Sequence, residues 1–490
     1  MARIRRNVLQ LPRGDQTLLW YGRAIQEMQN RPLTDPTSWR FQAAIHDYVR
    51  SSDPLAVSGE KLPPLRLRRR FWAQCQHGSW FFLPWHRMYL HFFEQIVAAA
   101  VVKLGGPQDW ALPYWNYSAT EPSRLLPEAF RPPKLPDGTP NYLHVAQRDP
   151  PCNAGQPFAD ARDVALQTAL TQADFAGSNA DNFGGFPTNF SHNGPGPGRL
   201  ERVPHGTIHV AVGGSAGWMG SFDTAGLDPI FWLHHANIDR LWEVWLARDP
   251  GHHNPASLQW LSRTAFSFHD ATAQIVTLRC ADVVDTSALD YTYDDVSDPL
   301  AAPRPAARLA PRVPPTEVTM PESIPPELVG ATETSFQVGN TPARIRVPTP
   351  AHATARKRLA AAAAEAAPAE SIAAAPAAPP RVLLQLENLT AGGRANSYDV
   401  YVNIPAGDEP TQHPERFAGR LDLFGVAEAS RATAQHPGSG LTYTLDISGI
   451  YHELSTAPGW DPEHIDVSLV PVRKWEGAPV TVGRVSLFFG

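Results

Sequence analysis

Six histidines give this sequence its chemistry: His46, His77, His86, His205, His209 and His235. His205 and His209 stand four apart in PHGTIHVAVGG. On a helix that spacing puts both rings on one face, one turn apart. His86 opens the apolar stretch PWHRMYLHFFEQIVAAAVVKL, and His235 lies inside DPIFWLHHANIDRLWEVWLA. His46 sits in FQAAIHDYV and His77 just before SWFFLPWH. Any one of them alone reads as an ordinary core or surface histidine, and one H-x3-H pair is weak. Six in aromatic sequence are another matter, because buried imidazole nitrogens need partners. A metal ion supplies them, and all-imidazole ligation suits copper, zinc, iron or nickel. The H-E-x-x-H of zinc proteases is not in the chain.

Positioning these rings requires helices. Pro84 to Leu104 is long, apolar and opens on proline, a favoured first-turn residue. Asp228 to Ala247 repeats the design, with Asp228 as N-cap and Pro229 at the first helical position. His91 follows His86 by five residues, about 140° round a helix, and so falls outside the cluster.

The rest of the chain is organised differently. Residues 1–298 hold 12 of the 14 tryptophans and form the aromatic core-building part. Residues 299–380 read as linker: proline-rich to 326, alanine- and proline-rich from 348, with two short strands between. ARKRLAAAAAEAA in the second stretch could make a short helix. Residues 381–490 read as an all-β, sandwich-like domain. Tyr398, Val400, Val402 and Ile404 alternate with polar neighbours, as do Leu441, Tyr443, Leu445 and Ile447, and Ile465, Val467 and Leu469. The expected fold is a mainly α catalytic domain, a linker and a C-terminal all-β domain.

Formal net charge is −6 and the pI near 6.3, which calls for neither nucleic acid nor an anionic membrane. No apolar run reaches membrane-spanning length, and the first residues show no secretory leader. Three cysteines, Cys75, Cys152 and Cys280, are too few for a disulfide framework, so a reducing cytoplasmic location is expected.

Two segments carry a family likeness. HGSWFFLPWHRMYLHFFE (77–94) resembles the copper A signature of tyrosinases, plant polyphenol oxidases and molluscan haemocyanins. MGSFDTAGLDPIFWLHHANIDRLW (219–242) resembles their copper B signature. The resemblance implies a type-3 centre of two coppers in a four-helix-bundle core. Copper A would be held by His46, His77 and His86, and copper B by His205, His209 and His235. His234 would stand behind the ligands. Cys75-Gln76-His77 is similar to the Cys-x-His whose sulfur forms a thioether to the ring. Phe222 matches a gate residue over copper A. Glu201 matches a glutamate that holds a water near the metals. Asp239, one turn after His235, would orient a ligand histidine or pair with an arginine. Tyr291-Thr292-Tyr293 resembles the structural Tyr-x-Tyr that closes the plant catalytic domain.

The activity implied is oxidation of catechols to ortho-quinones with dioxygen reduced to water, with phenolic substrates and no organic cofactor. Gly206, directly after His205, stands where some relatives carry Asn or Asp, which implies weaker monophenol hydroxylation. The C-terminal part resembles a shielding domain that keeps such enzymes latent. The rival reading is a haemocyanin-like dioxygen carrier. Oligomeric state is not legible.

Overall fold

Helix α4 (Phe82–Lys103) and helix α9 (Pro229–Arg248) frame the first part of the chain. Both are buried on nearly every side, as helices hydrophobic all round must be. Asp228 caps α9 as expected: its carboxylate accepts the Ile230 N–H at 3.1 Å, and Pro229 is the first helical residue. Arg148 grips the same carboxylate from a loop, both side chains being fully enclosed. Helix α4 starts two residues before the expected Pro84. Proline is harmless there, because first-turn N–H groups have no helical acceptor.

The computed structural model describes residues 2–177, 182–190, 194, 196–301, 327–350, 381–432 and 438–489. The chain forms two units, Met1–Glu317 and Val318–Gly490. In chain order the first contains β1 (Arg3–Arg5), α1 (Thr17–Gln29), α2 (Trp39–His46), α3 (Leu65–Phe71), α4, the short α5 (Pro150–Asn153) and α6 (Gln167–Leu170), α7 (Thr207–Gly213), α8 (Phe222–Ala225) and α9. A hairpin of β2 (Ala265–His269) and β3 (Ile275–Arg279) follows, then β4 (Tyr291–Tyr293). Helix α4 packs on both α1 and α9. Rings fill the α4–α9 seam, with Phe93 stacked on Trp232 and Tyr89 tilted against it at 4.7 Å.

A buried ion cluster closes this unit. Strand β1 pairs in parallel with β4, bringing Arg5 beside Tyr293. Asp239 on α9 accepts from Arg87 Nε (2.5 Å), Arg5 Nη1 (3.3 Å) and the hydroxyls of Tyr291 and Tyr293 (2.6 Å each). Arg5 also donates to Glu94 at 2.7 Å and lies 3.7 Å over the Tyr291 ring. Of the two roles expected for Asp239, the structure selects arginine pairing and contradicts the orienting of a ligand histidine. Its carboxylate oxygens are taken up by guanidinium and phenol groups. Burial pushes the Asp239 carboxyl up, but Arg87 and then Arg5 outweigh it and hold it below the usual range.

Among the described residues the second unit is mainly β, with two short α-helices, Val426–Ala429 and Ser448–Thr456. Its strands are β5 (Glu327–Ala331), β6 (Phe336–Val338), β7 (Ala343–Pro348), β8 (Val382–Ala391), β9 (Tyr398–Val402), β10 (Phe417–Leu421), β11 (Leu441–Asp446), β12 (His464–Pro471), β13 (Val480–Val482) and β14 (Arg484–Phe489). One sheet runs β10-β9-β12-β7; the other runs β5-β14-β8-β13-β6, with β11 also on β8. Val400, Val467 and Leu469 from the first sheet and Leu384, Leu386 and Val485 from the second share one core.

Two expectations are corrected here. The stretch between the two low-complexity segments is not linker. It forms three strands, β5, β6 and β7, each paired to a C-terminal strand of the second unit. Strand β9 is not half-buried either, since all five residues are enclosed. Its polar Asp399 is accommodated by Arg420 of β10 at 2.7 Å, and Tyr401 packs on Phe417. The ARKRLAAAAAEAA segment lies outside the described residues.

Replacing Asp239 with asparagine leaves two buried arginines short of a counter-charge. Asp239→Asn is expected to cost the first unit about 3–5 kcal/mol at neutral pH. Urea unfolding followed by tryptophan fluorescence reads it, because 12 of the 14 tryptophans lie in that unit. The carboxyl is held below its ordinary value, so its contribution is complete above that value and fades as pH falls. The gap between variant and parent therefore narrows in acid.

Candidate metal centre

Five of the six expected histidines hang from the helical frame or its immediate lead-in. His46 ends α2, His86 lies in the second turn of α4, His209 in α7 and His235 in α9. His205 precedes α7 in a wide turn, Glu201–Gly206, broken at Val203 and containing a cis Val203–Pro204 bond. His77 comes from the loop before α4.

The fold gathers these rings into two adjoining groups. The imidazole nitrogens of His46, His77 and His86 lie within 4.8 Å of one another, as do those of His205, His209, His234 and His235. The groups meet where His86 stacks on His235, centroids 4.4 Å apart and planes 5° apart. His77 faces His205 across the same junction at 5.7 Å. All seven rings are buried.

Backbone carbonyls orient four of the rings. Nδ1 of His86 donates to Phe82 O at 2.8 Å, and Nδ1 of His205 to Glu201 O at 3.0 Å, each four residues back. Nδ1 of His46 donates to Phe222 O, and Nδ1 of His209 to Met219 O, both at 2.8 Å. Spending the ring proton on a carbonyl leaves Nε2 as a lone-pair donor. Burial holds His86, His205, His209, His234 and His235 well below their ordinary pKa, so these rings are neutral.

These donors fit metal ions. The Nε2 of His86 is buried and meets no hydrogen-bond partner among the described residues. Nε2 of His209 and Nε2 of His235 face each other at 3.3 Å. Two ligands with bonds of about 2.0 Å on one tetrahedral ion stand at about this separation, so the pair is placed as ligands of one metal would be.

Aromatic rings wall the centre. Phe82 touches His86 (4.6 Å) and His205 (4.7 Å), and Phe231 touches His235 (4.3 Å). Phe222 stacks on His77 at 4.2 Å and meets His46 edge-on at 5.5 Å. Glu201 is buried, and its Oε1 accepts the Gly78 N–H at 2.7 Å, directly behind His77. Cys75 is fully buried two residues before His77. His91 lies apart, its Nε2 against Gln95.

Sequence comparison decides what the geometry leaves open. Residues 36–248 match the common central domain of tyrosinase, and 256–306 the polyphenol oxidase middle domain. Residues 325–489 match a domain of unknown function. Tyrosinase HcTyr1 of a Hahella species is 37% identical over 99% of this chain and 98% of its own. The chain belongs to the tyrosinase family.

Its activity is therefore copper-dependent oxidation of phenols by dioxygen, and its cofactor is a pair of copper ions. The chloroplastic polyphenol oxidase of Malus domestica is 31% identical, over 59% of this chain and 48% of its own. Solved latent apple tyrosinase matches with a TM-score of 0.59 at 22% identity, over 99% of this chain and 97% of its own. That match shows the fold of both units together in one chain.

Two participants in the site escaped sequence reasoning. One is the set of carbonyl acceptors, although the four-residue spacing from Phe82 to His86 and from Glu201 to His205 was available as a signal. The other is Tyr117, whose hydroxyl meets Nδ1 of His234 at 3.1 Å and for which no signal existed.

The neighbours His234 and His235 can be told apart. His235 stacks on a histidine of the other group, whereas His234 turns towards Tyr117. In this tyrosinase His235→Ala is expected to lose one of two coppers per chain, and His234→Ala to keep both, by elemental analysis of the purified protein.

Proposed function

We propose that His46, His77 and His86 hold one copper and His205, His209 and His235 the other, and that the enzyme is foremost a catechol oxidase, latent in the full chain. The observation that carries the assignment is the meeting of the two groups at the His86–His235 stack, which sets the two clusters of nitrogens side by side. Two coppers held by these histidines would supply the redox chemistry by which two catechols give four electrons to one dioxygen, yielding two ortho-quinones and two waters.

The protein's own contribution is positional. Carbonyl-held rings present neutral nitrogens without rearrangement. Phe222, stacked on His77, is the gate against which an incoming phenol ring packs. Phe82 and Phe231 keep bulk water from the ligand rings. Cys75 is joined to His77 by a thioether, which fixes the ligand that comes from the loop before α4. An intact mass two hydrogens below the sequence mass, restored by Cys75→Ser, checks this bond.

Glu201 holds the water that accepts a phenol proton. Gly206 offers no side chain to help it, which weakens monophenol hydroxylation. Catechol or DOPA is expected to be oxidised much faster than tyrosine or tyramine, and Gly206→Asn to raise the monophenol rate relative to the catechol rate. Comparable initial rates on the two substrate classes, or an unmoved ratio in the variant, defeats the reading.

Latency is attributed to the second unit. Support comes from the two-unit layout shared with solved latent relatives. Cleavage between residues 302 and 326 is expected to raise catechol turnover, with the copper content constant. A cleaved, copper-loaded enzyme no faster than the full chain overturns latency. The relatives matched are oxidases, which favours an enzyme over the oxygen carrier.

A further inference from the structure

The gate residue Phe222 is the first residue of α8, a single turn that Thr224 Oγ1 ties to Trp218 O at 2.8 Å and that has four further attachments. Its carbonyl accepts from His46, and its ring lies on His77. Its far end presses on α2: a Cβ on Gly226 would stand 3.0 Å from the Cα of Ala43. These three attachments are buried. The fourth is polar and reaches solvent.

That fourth attachment is Asp223. Its Oδ1 accepts from Ser221 Oγ at 2.7 Å and its Oδ2 from Ser52 Oγ. Ser52 has one proton, and the Val49 carbonyl lies 3.0 Å away as a competing acceptor. The anionic carboxylate is the stronger of the two. Ser52 is presented by the loop that follows His46, and that loop has a firm base. Arg40 of α2 donates to Glu60 at 2.5 and 2.9 Å and also to Asp53, the residue after Ser52. Ser52 is therefore a fixed post, and Asp223 is the movable side of the contact.

We propose that Ser52 and Asp223 form a latch that sets the position of Phe222 and thereby the size of phenol the enzyme accepts. Asp223 is a positioning residue; it acts through Phe222 and does not touch the substrate. The latch rests on the reading of Phe222 as the gate. The physical reason is the difference among the four attachments. Three are enclosed and resist water, whereas Ser52 is exposed and Asp223 partly so. Water competes for that contact, so it is the corner at which the turn opens. With the latch closed, the ring stays on His77 and leaves room for slim phenols. With it broken, the first turn of α8 can swing, and rings with bulky para substituents gain entry.

The test uses the full-length, copper-loaded enzyme with catechol and 4-tert-butylcatechol. Asp223→Ala and Ser52→Ala are each expected to shift the kcat/KM ratio towards the bulky substrate by roughly three- to tenfold. The change should lie in KM, with kcat nearly constant. Ser52→Thr, which keeps the hydroxyl, should restore the parent ratio. The double variant should shift no further than either single one, because both remove one contact. Dissociation constants of benzoate and 4-tert-butylbenzoate, measured by calorimetry, should move in the same sense without turnover. Copper content and unfolding midpoint should match the parent. Should Asp223→Ala fold poorly, the exposed Ser52→Ala carries the comparison. Phe222→Ala separates the two readings. If it alters the ratio while Asp223→Ala and Ser52→Ala do not, the latch is wrong and the gate stands. If Phe222→Ala also leaves the ratio unmoved, the gate reading falls and the latch with it.

Discussion

Everything at the centre depends on α4 and α9 being held in one register. A slide of one residue along either helix would part His86 from His235, whose rings now lie 5° from parallel. The fixing element is the buried carboxylate of Asp239, one turn after His235, bound to Arg87, the residue next to His86. Arg5 and two tyrosines complete its coordination and draw in both strands of the β1–β4 pair. Hydrophobic packing alone would tolerate small slips, because it has little directionality. A charged hydrogen bond enclosed on all sides does not, since any displacement leaves a desolvated charge short of a partner.

The imidazoles follow a second economy of the same kind. Each ring has one proton to donate and one lone pair to offer. Carbonyls of Phe82, Glu201, Phe222 and Met219 take the proton from four of them and so decide which nitrogen faces inward. Burial keeps the rings neutral. The outcome is a set of nitrogen donors gathered at separations that suit ligands of one metal ion. Phe222 belongs to both systems, because its carbonyl orients His46 while its ring covers His77.

The second unit is held together by different means. Its ladders are antiparallel among the described residues, and long β8 pairs with β11, β13 and β14. Strands β5, β6 and β7 come from far earlier in the chain and lie on three different C-terminal strands. The segment matched to a domain of unknown function thus has a fold of two sheets around one apolar core.

Much of this was legible in the residues themselves. Periodicity and capping located α4 and α9, and the spacing of His205 and His209 implied one helix face, whereas His205 stands in the turn before α7. Aromatic context singled out the six histidines, because local sequence records which side chains must be buried. It does not record what they are buried against. Asp239 shows this: its place one turn after His235 suggested a histidine partner, but its partners come from residues 5, 87, 291 and 293, brought in by strand pairing and helix packing. Likewise Asp399 looked like a solvent-facing strand residue until Arg420 arrived from the next strand. Burial class and local conformation were determined by the sequence alone. Partner identity was decided only by the tertiary structure, because a contact between residues tens to hundreds of positions apart leaves no periodic trace in either neighbourhood.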